Sequence, residues 1–215
     1  MEQVPDGYSV VNVLLDGHGK GVRDFGQTSM QAWKAQVDGV VEQLLESHDR
    51  LLITGHSMGS LFAIRQAIKH PDKVSGLFLL AVPLKIAIKL RMLRNSMCVY
   101  FGNVKEDDLW AQAAVNCYGI EADWRAWRYI PWAGRYLELF KEIKNVTQLL
   151  GALQTPCYCY QSRKDELVSV KSCEVLEGCK AARVQLLENS GHYYYDQKDY
   201  ERLLGYFREF IKDFA

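Results

Sequence analysis

Residues 55–59 read Gly-His-Ser-Met-Gly, a Gly-x-Ser-x-Gly pattern that can present a serine hydroxyl for nucleophilic attack. The pattern has this meaning where it joins a buried strand to a helix, because the serine then lies on a sharp turn at the carboxyl end of a sheet. Residues 51–54 have strand character, and apolar residues recur at helical spacing over residues 60–69. These flanks predict a turn that exposes Ser57. We expect the two glycines to remove side chains that would collide there.

A serine hydroxyl is a weak nucleophile at neutral pH, so it needs an imidazole to take its proton and a carboxylate to orient that imidazole. Asp165 follows an apolar run at residues 157–160, and His192 follows another at residues 183–187. The carboxyl ends of parallel strands meet at one edge of a sheet. The chain order therefore predicts a catalytic triad of Ser57, Asp165 and His192.

Other residues compete for these roles. A single Asp or His in a loop is more often a solvated or turn-forming residue, so the prediction depends on all three types occurring together. Glu166 is the alternative carboxylate if the loop register is displaced by one residue. His18 is an alternative base, and His56, inside the serine pattern, is interpreted as structural.

Alternating strands and helices must position these residues. Apolar runs of strand length predict five strands, at residues 10–15, 51–54, 74–82, 157–160 and 183–187. Helical spacing predicts helices at 29–47, 60–69 and 171–177 and a last helix through residues 203–211. This order predicts an α/β fold with a mainly parallel sheet that helices cover on both faces.

The alternation stops over residues 84–150, where helical periods continue without strands. We expect residues 1–83 and 151–215 to form the core, and residues 84–150 to form an inserted helical lid. Four of the five tryptophans lie in this insertion: Trp110, Trp124, Trp127 and Trp132. An aromatic roof favours a hydrophobic acyl or aryl group. The alternative is that these rings only pack the insertion onto the core.

Composition excludes several partners. Lys plus Arg and Asp plus Glu both total 26 in the 215 residues, so no charge excess favours nucleic acid or an anionic membrane surface. The six cysteines lack zinc-site spacing, and Cys157 and Cys159 are expected to lie buried on one strand face. No apolar run reaches the ~18 residues of a membrane span. We expect a cytoplasmic protein that uses no metal and no cofactor and has no stable membrane insertion.

The sequence resembles the α/β-hydrolase superfamily, and within it the lidded branch of monoacylglycerol lipases and carboxylesterases. The resemblance rests on the Asp-Gly-His-Gly turn at 16–19, the serine pattern at 55–59, the strand after Pro156 that leads to Asp165, and Ser-Gly-His at 190–192. It implies that Ser57 is the nucleophile, His192 the general base and Asp165 its orienting partner. It also implies that the turn containing His18 shapes the floor beside the site.

One part of the family pattern is absent. Acyl transfer needs two N–H donors for the oxyanion, and the backbone of Met58 is expected to supply the first. In the family the second comes from a segment upstream of residues 10–15, on a strand that lies between residues 10–15 and residues 51–54. We therefore expect N-terminal strands of the family fold to be missing. Three explanations stay open: the true start lies upstream, the two flanking strands pair directly, or a second chain fills the space, as in a homodimer.

These observations predict a serine hydrolase that cleaves carboxylic esters of hydrophobic small molecules through an acyl-enzyme. A thioesterase, an amidase or peptidase, or an acyltransferase would use the same triad. A further alternative is a catalytically impaired relative that acts as a binding protein, because the second oxyanion donor is missing.

Overall fold

A parallel sheet of four strands carries the loops of the candidate site. The structure is a computed structural model that describes residues 3–118 and 122–214. Its strands are β1 (Leu51–His56), β2 (Val74–Leu80), β3 (Cys157–Ser162) and β4 (Ala182–Leu187). They lie in the order β1-β2-β3-β4, and each neighbouring pair is parallel. The predicted parallel α/β sheet is confirmed.

Eight α-helices accompany the sheet in the part of the chain that the structure describes. They are α1 (Val22–Gln27), α2 (Met30–Leu45), α3 (Met58–Lys69), α4 (Leu90–Tyr100), α5 (Leu109–Tyr118), α6 (Trp132–Leu149), α7 (Lys171–Glu177) and α8 (Gln197–Asp213). Short 3-10 helices cover Ala126–Tyr129 and Leu150–Ala152. None of the helices in this part of the chain is both long and apolar enough to cross a membrane.

Alternation along the strands buries both faces of the sheet. Leu77 and Leu79 of β2 lie in one apolar cluster with residues of α3, α6 and α7. Phe78, the residue between them, lies in a second cluster with Phe210 of α8. Successive strand residues point to opposite faces, so a sheet covered by helices on both sides needs apolar residues at nearly every position. This explains the continuous apolar runs.

Several predicted details are confirmed or adjusted. α2 begins one residue after Ser29, whose hydroxyl accepts the N–H of Ala32 as an N-terminal cap. Cys157 and Cys159 are buried on one face of β3, with their Sγ atoms 3.3 Å apart. β2 ends at Leu80, two residues before the predicted end.

The prediction of a buried strand at residues 10–15 is wrong. In the described structure this segment is paired with no strand, and most of its apolar side chains are exposed. Leu14 and Asp16, at the carboxyl end of this segment, make polar contacts with α2. The side chain of Gln36 donates to Leu14 O and accepts from Asp16 N, both at 2.9 Å, and Trp33 Nε1 donates to Asp16 O at 2.7 Å.

A cavity of about 410 Å³ lies between this segment and β1. It is lined by residues 8–13 and by residues 51–54 of β1, together with side chains of α2, α3 and α8. The two segments therefore flank an open space and do not pair directly, which excludes one of the three explanations for this chain. The space lies where the sequence predicted a missing strand.

Helices occupy the described part of the insertion between β2 and β3; residues 119–121 lie outside the described residues. α6 is anchored to the core by Glu142, a buried carboxylate that contacts Lys34 Nζ at 3.1 Å and an Arg65 nitrogen at 3.3 Å. The N–H of Met30 also donates to Glu138 at 2.8 Å. These contacts connect α6 to α2 and α3. The division into core and lid stays a prediction.

Candidate active site

Ser57 lies on a strained turn between β1 and α3. Its backbone has φ 51° and ψ −123°, a conformation that non-glycine residues rarely adopt and that is concentrated at functional sites. Its N–H donates to Leu80 O at 2.9 Å, which connects the turn to β2. A side chain on Gly55 would place Cβ 2.8 Å from Ser60 Cα, so glycine is required there. Gly59 departs from expectation, because an added Cβ would meet no atom within 4 Å.

The structure brings Ser57, His192 and Asp165 together. His192 Nε2 lies 3.1 Å from Ser57 Oγ. On the other side of the ring, His192 Nδ1 lies 3.0 Å from Asp165 Oδ2 and 3.1 Å from Oδ1. The His192 and Asp165 side chains are almost completely buried. This geometry allows the imidazole to accept the serine proton while the carboxylate fixes its tautomer.

Backbone donors keep the Asp165 carboxylate charged. Its Oδ1 accepts the N–H groups of Leu167 at 2.8 Å and Val168 at 2.7 Å. Burial acts to raise the pKa of Asp165, but the hydrogen bond and charge interaction with His192 and these two N–H bonds outweigh it, so the pKa is lowered. A carboxylate is therefore present to orient the His192 ring.

Glu166, the alternative carboxylate, is bound to a different atom of the same histidine. Its Oε2 accepts the backbone N–H of His192 at 2.7 Å, whereas Asp165 contacts the ring. His56 Nε2 lies 3.0 Å from His192 O. His18 lies among the rings of Phe25 and Trp33, and its Nδ1 is 3.2 Å from Leu15 O.

Asp199, in the first turn of α8, is a residue that sequence reasoning missed. Its buried carboxylate accepts the N–H groups of Glu188, Asn189 and Ser190 and the hydroxyl of Ser190, at 2.7–3.3 Å. It therefore organises the loop that leads from β4 to His192. The available signal was an acidic residue in the first turn of the last helix, where side-chain acceptors commonly bond nearby N–H groups.

Met58 is placed as the oxyanion prediction requires. It is the first residue of α3, where helix geometry leaves the N–H without an intrahelical acceptor and the helix dipole favours negative charge. Its N–H follows the Ser57 turn directly. Its role as a donor stays a prediction.

The four tryptophans of the insertion lie in three different environments. Trp110 packs against the loop that contains His192: its ring centroid is 4.9 Å from that of Tyr194, and a Cβ on Gly191 would overlap it. Trp132 packs on Phe25, with ring centroids 4.6 Å apart. Trp124 and Trp127 are 76% and 60% exposed. Trp110 is thus the tryptophan of this set that contacts the candidate site.

Comparison with known families adds independent evidence. The profile of the serine aminopeptidase S33 family matches residues 4–195. The chain belongs to this family. The family match and the fold place this S33 chain in the α/β-hydrolase superfamily, as the sequence predicted.

Solved structures show the same fold. A metagenome-derived lipolytic enzyme matches with a TM-score of 0.65 and 17% identity, over 93% of this chain and 80% of that one. A monoacylglycerol lipase from Paleococcus ferrophilus matches with a TM-score of 0.63 and 15% identity, over 88% of this chain and 77% of that one. A carboxylesterase structure from Nitrososphaera gargenis matches with a TM-score of 0.57 and 19% identity, over 87% of this chain and 75% of that one. No curated protein matches the sequence.

Proposed function

We propose that this chain is a serine hydrolase that cleaves carboxylic esters of hydrophobic small molecules through an acyl-enzyme. The observation that carries the proposal is the 3.1 Å contact between Ser57 Oγ and His192 Nε2, with His192 Nδ1 3.0 Å from Asp165. These distances lie in the range in which a nucleophile transfers its proton to a general base.

Acylation begins when Ser57 Oγ attacks the ester carbonyl carbon and His192 Nε2 takes the hydroxyl proton. Asp165 accepts the Nδ1–H bond and stabilises the imidazolium that forms. The N–H of Met58 donates to the oxyanion of the tetrahedral intermediate. His192 then returns the proton to the leaving alkoxide, and Ser57 carries the acyl group as an ester.

Deacylation repeats these steps with water as the nucleophile. His192 takes a proton from water as its oxygen attacks the acyl carbon, and the second tetrahedral intermediate collapses with release of Ser57 Oγ. The proton on His192 passes to that oxygen. The products are the carboxylic acid and the alcohol, and the triad returns to its starting state.

Two features support a hydrophobic substrate. Trp110 contacts the loop beside His192, so an apolar ring is available next to the triad. The solved relatives are described as lipolytic enzymes, a monoacylglycerol lipase and carboxylesterases. Burial of apolar acyl surface against this ring would contribute to the binding free energy.

Amide or peptide hydrolysis is the second candidate, because the matching family is described as serine aminopeptidase. Thioester hydrolysis and acyl transfer would use the same three residues. A cytoplasmic location likewise stays a prediction from cysteine usage.

The test compares labelling with turnover. A fluorophosphonate probe should label Ser57, and peptide mass spectrometry should locate the adduct there. A matched pair of p-nitrophenyl ester and p-nitroanilide substrates with the same acyl group then separates esterase from amidase. We expect the ester to be preferred. Absence of labelling at Ser57 would contradict the proposal and favour a catalytically impaired relative.

A further inference from the structure

We propose that Glu166 is a positioning residue that fixes the backbone of His192, so that the imidazole faces both Ser57 and Asp165. This inference rests on the proposed function of the triad. Glu166 touches none of the reacting atoms. It acts through the hydrogen bond that its carboxylate accepts from the His192 N–H, at 2.7 Å.

Two consecutive carboxylates bind the same histidine at different points. Asp165 contacts the ring at Nδ1, and Glu166 contacts the backbone N–H. A contact to the ring alone fixes its rotation but leaves the main chain free to shift. A second contact at the backbone fixes the point from which the ring projects, and reacting groups need such precision because displacements near 1 Å can cost about 100-fold in rate.

The Glu166 side chain is itself closely packed. It is buried, and a Cβ added to Gly191 would lie 2.7 Å from its Oε2. Its own backbone oxygen accepts the N–H of Lys89 at 2.9 Å. Burial raises the pKa of Glu166, and the His192 N–H is one of the interactions that oppose this rise. The carboxylate therefore has a defined position and direction.

The opposite side of the His192 main chain is also occupied. His56 Nε2 lies 3.0 Å from His192 O, so side chains contact both the N–H and the C=O of this residue. Glu166 follows β3 and His56 lies at the end of β1, whereas His192 follows β4. The contacts thus join the ends of three strands. Without Glu166 the buried N–H would lose its acceptor, and the loop would have to move to recover one.

Two substitutions separate reach from charge. Glu166→Gln keeps the side-chain length and an acceptor oxygen but removes the charge. Glu166→Asp keeps the charge but is one methylene too short to reach the His192 N–H. Glu188→Ala is the matched control, because it removes an exposed carboxylate from the loop that carries His192. The ion-pair partner of Glu188 is Arg163. The measurements are kcat and KM for a p-nitrophenyl ester, the rate of fluorophosphonate labelling, and hydrogen exchange of the His192 amide by NMR.

We expect Glu166→Asp to lower kcat by about 10- to 100-fold, with KM within about threefold of the original value. Hydrogen exchange at His192 should become faster in that variant. Glu166→Gln and Glu188→Ala should stay within about threefold in kcat and show slow exchange. Labelling rates should follow kcat, because both depend on the position of His192.

Other outcomes would contradict the positioning role of Glu166 or the proposed function. A loss of kcat in Glu166→Gln with none in Glu166→Asp would mean that charge, not position, is what Glu166 contributes. Unchanged exchange at His192 in Glu166→Asp would overturn the positioning role whether or not the protein is an esterase. If the unmodified protein neither turns over esters nor reacts at Ser57, the proposed function fails, while the exchange measurement still tests Glu166.

Discussion

His192 and Ser57 are 135 residues apart in sequence, and their side chains meet at 3.1 Å. The contact joins the turn after β1 to the loop after β4, which lie at opposite ends of the strand order but at the same edge of the sheet. Loops from both strands converge there because all four strands are parallel.

Replacement of Ser57 by alanine should abolish ester hydrolysis without unfolding the protein. The change removes one oxygen, whose contact in the structure is with His192 Nε2. We expect kcat for a p-nitrophenyl ester to fall by roughly 10⁴-fold or more. Ser47→Ala, at the exposed end of α2, is the control and should keep full activity. Equal rates in the two variants would show that Ser57 is not the nucleophile.

His56 should make stability depend on pH. Burial, followed by the charge of His192, lowers the pKa of His56 from 6.5 to about 4. Because the unfolded chain binds this proton more readily, the stability from neutral His56 is complete above pH 6.5 and is lost as the pH falls towards 4. The free energy of unfolding falls by about 3 kcal/mol over this range.

Thermal melting between pH 7 and pH 4 checks this expectation. The original protein should lose melting temperature more steeply on acidification than His56→Gln, which keeps an N–H donor near His192 O but does not titrate. Parallel curves for the two proteins would mean that His56 is not the group responsible.

Trp110 should affect the choice of acyl chain. It packs on Gly191 beside the triad, whereas Trp124 is exposed. Trp110→Ala should lower kcat/KM for an octanoate ester by about tenfold more than for an acetate ester, because apolar surface for the longer chain is lost. Trp124→Ala is the matched control and should leave this ratio unchanged. If both variants keep the original ratio, Trp110 serves only to pack the insertion.

The open edge of β1 should promote self-association, and we propose a homodimer through it. β1 pairs with β2 on one side, and on the other side it lines the cavity shared with residues 8–13. Unpaired strand edges are templates for pairing with another chain, and lysine at an edge opposes this. Light scattering after size exclusion should show a dimer fraction that increases with protein concentration. The dimer fraction should be lower in Thr54→Lys. Gln148→Lys, at an exposed position of α6, is the charge control. A protein that stays monomeric throughout would contradict the proposal.

The sequence by itself determined most of the elements of this protein and the candidate residues of its site. The strand, turn and helix around Ser57 follow from local apolar periodicity and from two glycines, and Asp165 and His192 follow from their places after predicted strands. Such patterns lie within one element and the residues that flank it. They are readable because each element must bury its own face against a core.

The same local reasoning failed at residues 10–15, because a strand also needs a neighbour with which to pair. The apolar run is present, but α2 anchors its end through Gln36 and Trp33, and a cavity separates it from β1. Strand pairing depends on a second segment that is distant in sequence, so it cannot be predicted from the periodicity of one segment alone.

Only the tertiary structure decided which atoms each of these side chains contacts. Asp165 and Glu166 are adjacent carboxylates in one loop, yet the first faces the His192 ring and the second its backbone N–H. Trp110 and Trp124 lie in one insertion, yet one contacts the site and the other is exposed. Side-chain direction in loops depends on hydrogen bonds and packing with segments that are remote in sequence, and these exist only once the sheet has brought the strand ends together.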